Sequence, residues 1–132
     1  MMEASHYAKR NWGDNPRSGY CRSGLCVGCR CSAAGDAAAG QDVFARCAPC
    51  HSIGPGEKKV GPSLAGVFGR KSASEPGYSY SAALKAANIT WDEHTLDQFL
   101  ANPAGDVHGT KMFITIPNAT TREDLIAYLK SL

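Results

Sequence analysis

The sequence predicts an all-α domain, and three observations carry that prediction. Apolar residues recur at three-to-four spacing in separate segments, with Gly40, Val43, Phe44 and Cys47 in one and Leu125, Tyr128, Leu129 and Leu132 in another. Two segments open with a helix-capping pattern, Thr90 with Glu93 and Thr120 with Glu123. Between His51 and Ser81 the chain is rich in glycine and proline and holds no sustained period, so nothing there offers a sheet. At 132 residues the chain is one domain with a modest core.

The elements follow in order. From Asp36 the first apolar stripe predicts a helix that delivers Cys47 and Cys50. A short helix is expected around Ser81 to Ala87. Thr90 and Glu93 then cap a helix carrying Leu96, Phe99 and Leu100, which stops before Pro103. Thr120 and Glu123 open the last one. Three main helices therefore frame the domain, and the unpatterned stretch between His51 and Ser81 has to wrap something else.

Cys47-Ala48-Pro49-Cys50-His51 says what that is. Two thiols at this spacing with an imidazole directly after the second form a c-type haem attachment motif. Each thiol can add across one vinyl group of the porphyrin, and His51 then lies under the ring, placed to give the iron a nitrogen. The competing reading is a dithiol redox pair, which normally opens a helix after a strand. Asp42 to Arg46 show no alternation, and no strand, crossover helix and second strand follow. A macrocycle at the centre of the core lets loops bury side chains on its faces without ladders of their own.

For the second ligand, Gly109-Thr110-Lys111-Met112 offers a thioether, and a His/Met pair raises the iron's potential relative to two nitrogens. A lone methionine is ordinarily core packing. Met112, however, sits in a loop between predicted helices, 61 residues after His51, and the other methionines are Met1 and Met2. His108 is the rival, and a substitute under alkaline or partly unfolded conditions. His6 and His94 default to the surface.

Residues 1 to 35 have no period, carry five basic and two acidic side chains, and hold Cys21, Cys26, Cys29 and Cys31. They are assigned as an atypical leader or disordered segment, with the haem domain at 36–132. Haem attachment implies export, yet the longest apolar stretch is Leu25-Cys26-Val27, against roughly 7 to 15 residues in a signal core. The favoured explanation is that this start does not represent the natural leader. The alternatives are a thiolate metal site, crowded by gaps of five, three and two residues, and lipidation near Cys29, which lacks apolar context.

The remainder has nine basic and ten acidic residues and no basic patch with interleaved aromatics, so nucleic acid is not expected as a partner. No stretch approaches the roughly 18 apolar residues of a membrane span.

With these motifs in place the chain resembles a class I cytochrome c of the soluble mitochondrial and alphaproteobacterial type, over residues 36 to 132. The resemblance implies that Pro62, in Gly61-Pro62-Ser63-Leu64, orients His51 through its carbonyl. It implies that Arg70, Tyr80 and Trp91 supply donors to a buried propionate, that Thr110 belongs to the haem-binding set, and that Gly40 and Phe44 face Leu125, Tyr128 and Leu129 across crossed helices. The implied iron ligands are His51 and Met112, with Cys47 and Cys50 holding one haem c.

Several positions depart from the family pattern. His108 stands where proline is usual, Leu84 where asparagine is common, and Phe113-Ile114-Thr115-Ile116-Pro117 is one residue short and lacks the aromatic two places after the methionine. Only Arg46, Lys58, Lys59, Lys71, Lys85 and Lys111 are candidates for the docking ring, and Gly105 and Asp106 replace a basic pair. Asn88-Ile89-Thr90 and Asn118-Ala119-Thr120 are chance sequons.

The resemblance implies an electron carrier and not an enzyme. It would be a monomer without a small-molecule substrate, in the periplasm or the mitochondrial intermembrane space. It would shuttle electrons between membrane-bound complexes such as a cytochrome c reductase and an oxidase or reaction centre. Two alternatives stand beside it. One is a peroxidase-like haem enzyme or gas sensor with a labile Met112, and the other is a metal-buffering or lipid-anchored protein governed by the N-terminal cysteines.

Overall fold

The computed structural model describes residues 34–132, so the four N-terminal cysteines, His6 and the readings attached to them lie outside the described residues. Within that range the structure is helical, with α1 Ala37–Phe44, α2 Ala82–Ala87, α3 Glu93–Ala101, α4 Pro103–Asp106 and α5 Ala119–Leu129. Its one β feature among the described residues is an isolated bridge between Lys71 and Thr90.

Asp36 starts α1 by accepting the Ala38 N–H at 2.9 Å, and its own N–H donates to Asp124 Oδ1 on α5 at 2.8 Å. The helix stops at Phe44, earlier than expected, so it does not itself deliver the cysteines. Pro49 is the reason: its ring excludes the carbonyl of Ala45 and it has no N–H to donate. The chain instead tightens into turns, with Cys47 N–H on Phe44 O at 2.8 Å and His51 N–H on Cys47 O at 2.8 Å. These turns bring both thiols and the imidazole round together.

Two cap assignments are corrected in the same way. Asp92, not Thr90, caps α3, because its carboxylate accepts Thr95 N–H at 2.8 Å while Thr95 Oγ1 receives the Asp92 N–H at 2.9 Å. Thr90 is held instead in the bridge to Lys71. Asn118, not Thr120, caps α5, its side chain accepting Thr121 N–H at 3.0 Å. Another asparagine, Asn102, ends α3 and caps the single turn α4, which was not among the expected helices. The sequon asparagines thus have local roles, since Asn88 ends α2 in the left-handed region at φ 49°.

Helices α1 and α5 cross at Gly40, where a Cβ would stand 2.0 Å from the Asp124 carbonyl oxygen and 2.8 Å from Tyr128 Cβ. Phe44 then packs on the Tyr128 ring at a centroid distance of 5.5 Å. Leu125, only 1% exposed, and Ile126 and Leu129 complete the buried face of α5. Against them α3 places Leu96, Phe99 and Leu100. The segment after Met112 returns along α3 through Ile116, whose N–H donates to Leu100 O at 2.8 Å. Arg122 pins that return, donating to Asp97 at 2.5 Å and to the carbonyls of Ile116 and Pro117 at 2.9 Å.

Candidate functional site

Cys47, Cys50, His51, Pro62, Arg70, Tyr80, Trp91, Thr110 and Met112 all line one cavity of about 280 Å³. The nine residues come from six places along the chain: 47–51, 62, 70, 80, 91 and 110–112. Leucines from the helix stripes and the 61–64 loop, Leu64, Leu84, Leu96, Leu100, Leu125 and Leu129, line it as well. None of these leucines was identified as a site residue from the sequence. Their signal was there: a helix face broader than its partner helix requires has surface left for something else.

His51 is the best-fixed polar group in the cavity. Its Nδ1 lies 2.8 Å from the Pro62 carbonyl, which can only accept, so Nδ1 carries the hydrogen and Nε2 keeps its lone pair. Burial holds the ring's pKa below the ordinary histidine value of 6.5, the bond to Pro62 opposing it more weakly. The ring is thus neutral and free to ligate. Gly61 makes the approach, since a Cβ there would meet His51 Cε1 at 2.5 Å and Nδ1 at 2.8 Å.

Cys47 and Cys50 are both free and partly buried. Burial raises the Cys47 pKa, the neighbouring Cys50 adds to the rise, and Arg46 offsets part of it. Their site is therefore suited to thiols in an apolar wall. Because burial outweighs the neighbouring cation Arg46, Cys47 does not show the lowered pKa of a redox-exchange thiol, and no strand and crossover helix precede it among the described residues.

Loops on three sides are tied to one another. Tyr78 donates to the Val60 carbonyl at 2.8 Å, and Lys111 Nζ to the Ser79 carbonyl at 2.9 Å, so the loop bearing Met112 is fastened to the 76–80 turn. Met112 N–H reaches Thr110 Oγ1 at 3.4 Å. Val60 and Phe113 line the cavity yet are 76% and 80% exposed, which marks its mouth. His108 is exposed and not part of the lining, and His94 lies exposed in the first turn of α3.

Arg70 is held more tightly than the sequence suggests. It donates from Nη1 to Ala65 O at 3.0 Å and to Glu75 Oε2 at 2.7 Å, and from Nη2 to Ser63 O at 2.9 Å. Tyr80 Oη accepts the Glu75 N–H at 3.2 Å, which leaves its hydroxyl hydrogen available to an acceptor in the cavity. Burial raises the pKa of this phenol, so it is a neutral donor at ordinary pH. Trp91 is buried and packs against Phe99, the ring centroids 5.0 Å apart and the planes tilted by 58°.

The donor set suits an iron porphyrin. Two thiols, a neutral imidazole and a thioether share walls that are mainly apolar, with Arg70, Tyr80 and Trp91 among the lining residues that can donate to a carboxylate. No other group of three or more metal-ligating side chains gathers among the described residues.

The family model described as cytochrome c matches residues 37–132. Cytochrome c2 of Rhodoblastus acidophilus is 50% identical over 98 residues, covering 73% of this chain and 92% of that protein. Cytochrome c2 of Rhodomicrobium vannielii is 48% identical over 99 residues, covering 74% and 79%. Among solved structures, cytochrome cH from Methylobacterium extorquens superposes with a TM-score of 0.71 at 46% identity, over 74% of this chain and all of that one.

Proposed function

The chain belongs to the cytochrome c family, and from that membership we propose how its residues hold the haem and where it works. It is an electron carrier with a covalently attached c-type haem and not an enzyme; Cys47 and Cys50 are the attaching thiols. Bound in the cavity, the haem supplies a one-electron iron couple.

In our reading His51 and Met112 would be the two protein side chains that ligate the iron. The observation that carries it is that His51 and Met112 line the same cavity as both thiols, with His51 Nε2 left as its free nitrogen by the bond to Pro62. Pro62 is then a positioning group: it fixes the tautomer and the ring plane and raises the basicity of the ligand. Arg70, Tyr80 and Trp91 would hold the haem's carboxylates, with Tyr80 as neutral donor and Arg70 as fixed charge. Thr110 orients the backbone before Met112. The leucines exclude water, so little solvent reorganises when charge changes. Exposed Val60, Phe113 and Ile114 rim the mouth of the cavity and would be the surface that a redox partner meets.

The haem domain begins near residue 36, and the protein works in the periplasm. Its partners are membrane-bound redox complexes, a cytochrome c reductase on one side and an oxidase or reaction centre on the other. Support comes from the relatives named cytochrome c2.

The test is the optical spectrum of the haem-loaded protein at neutral pH, ferric and ferrous, with carbon monoxide added to the ferrous form. A low-spin ferrous spectrum unchanged by carbon monoxide, with the weak ferric sulfur-to-iron band, is expected. Ready carbon monoxide binding, or absence of the sulfur band, would overturn Met112 as the resting ligand.

A further inference from the structure

Behind the cavity wall, paired with the lining residue Arg70, stands a carboxylate that neither the haem attachment nor the ligation uses. Glu75 lies next to Pro76, and its side chain is only 11% exposed. Its Oε2 sits 2.7 Å from Arg70 Nη1, and Arg70 is itself only 22% exposed. Both charges are thus largely removed from water, where a charge acts over a longer range than it does at a free surface.

Arg70 lines the cavity. Its other contacts are the neutral carbonyls of Ala65 and Ser63, so among the described residues Glu75 is the anion that offsets its charge, beside any propionate it would hold. The same residue's N–H donates to Tyr80 Oη, tying the carboxylate's backbone to the second polar group of that wall. An uncompensated cation beside the cavity would favour the iron state with the extra electron. A compensated one does so less.

We propose that Glu75 is a potential-setting residue: by pairing with Arg70 on the cavity wall it lowers the reduction potential of the haem-loaded protein. The proposal rests on the haem occupying this cavity, and the test separates the two. It acts through Arg70, and it makes no contact with an iron ligand.

The experiment compares the reduction potential of the haem-loaded protein with those of its E75Q, E75D and D97N variants. E75Q keeps the shape and removes the charge; E75D keeps the charge. D97N removes a carboxylate that also pairs with an arginine, Arg122, but whose pair does not line the cavity. We expect E75Q to shift the one-electron equilibrium roughly threefold toward the ferrous form, about 28 mV on a scale of 59 mV per tenfold. E75D should stay near the parent value and D97N should move less than E75Q. A potential for E75Q equal to the parent's or to D97N's, or lowered, overturns the proposal, and the low-spin spectrum of each variant shows whether the haem is seated independently of that result.

If E75Q does not hold its haem, the parent protein still decides the matter. The coupling is reciprocal, so the carboxyl carbon resonance of Glu75, followed against pH, should titrate at higher pH in the ferrous than in the ferric protein. Arg70 pairs with this carboxylate, Tyr80 is a neutral donor in the same wall with Tyr78 edge-on to it at 4.8 Å, and the haem propionates, which also titrate in the acid range, are read separately through their own carboxyl resonances. Identical titration in both oxidation states would overturn the proposal.

Discussion

At the scale of single residues the chemistry is decided by what stands immediately behind each ligand. His51 offers Nε2 because Pro62 holds Nδ1–H, and Pro62 can come that close because residue 61 has no side chain. G61A therefore forces a methyl into the imidazole, whose ring cannot bend away without losing the bond to Pro62. Overpacking of this kind costs roughly 1–3 kcal/mol. The expected outcome is a lower denaturant midpoint for the haem-loaded G61A protein and a shifted low-spin spectrum, with the ferric sulfur band retained because the Met112 loop is untouched. Loss of the sulfur band with an unchanged midpoint would contradict this account. The motif around His51 was legible in the sequence because covalent attachment demands adjacent residues. Glu75 was not, since its meaning lies in a contact with Arg70 that only the turn at 71–75 creates.

At the scale of elements, the apolar stripes were legible and the helix ends were not. Leu96, Phe99 and Leu100 and the α5 leucines bury as their spacing requires, but two Thr-x-x-Glu patterns misplaced the caps by two residues each. The competing acceptors, Asp92 and Asn118, stood nearby, and the threonine at position 90 was already taken by the bridge to Lys71. Asp92 also makes α3 sensitive to acid. Its bonds from the Thr95 backbone, chiefly, hold the carboxyl below its ordinary value of 3.8. A depressed folded-state pKa contributes stability that is fully present above the unfolded value and is lost as pH falls through the folded one. D92N retains a capping oxygen without that titration. The urea midpoint of the parent protein should exceed that of D92N at neutral pH, and the difference should shrink once the pH drops below the usual carboxylate range. A difference that stays constant on acidification would show that Asp92 acts only as a neutral hydrogen-bond acceptor.

At the scale of the whole molecule, the described chain is built around a space that its own side chains do not fill. The stretch from Ser52 to Tyr80 contributes no helix, and its order comes from single ties such as Ser63 Oγ to Gly54 O at 2.7 Å and Tyr78 Oη to Val60 O at 2.8 Å. Leu64, Leu96, Leu100, Leu125 and Leu129 turn apolar surface toward that space, and covering a side chain of this size is worth roughly 1.5–3 kcal/mol. Against the stability of an ordinary domain, about 5–15 kcal/mol, a few such contacts with the haem are decisive. The haem is thus a structural member as much as a redox centre, which is why a loop-rich sequence with so little regular structure was still readable as one domain once the attachment motif was recognised. Removing the covalent tether tests this directly. The double variant C47A/C50A, purified without haem, should lose most of its helical circular dichroism, because α3 and α5 place Leu96, Leu100, Leu125 and Leu129 against the cavity as well as against each other. Added haem should restore part of that signal through the remaining His51 and Met112. A haem-free variant with the full helical signal and a cooperative thermal transition would mean that the α1, α3 and α5 contacts suffice alone, and that the cavity is a preformed receptacle within a self-supporting fold.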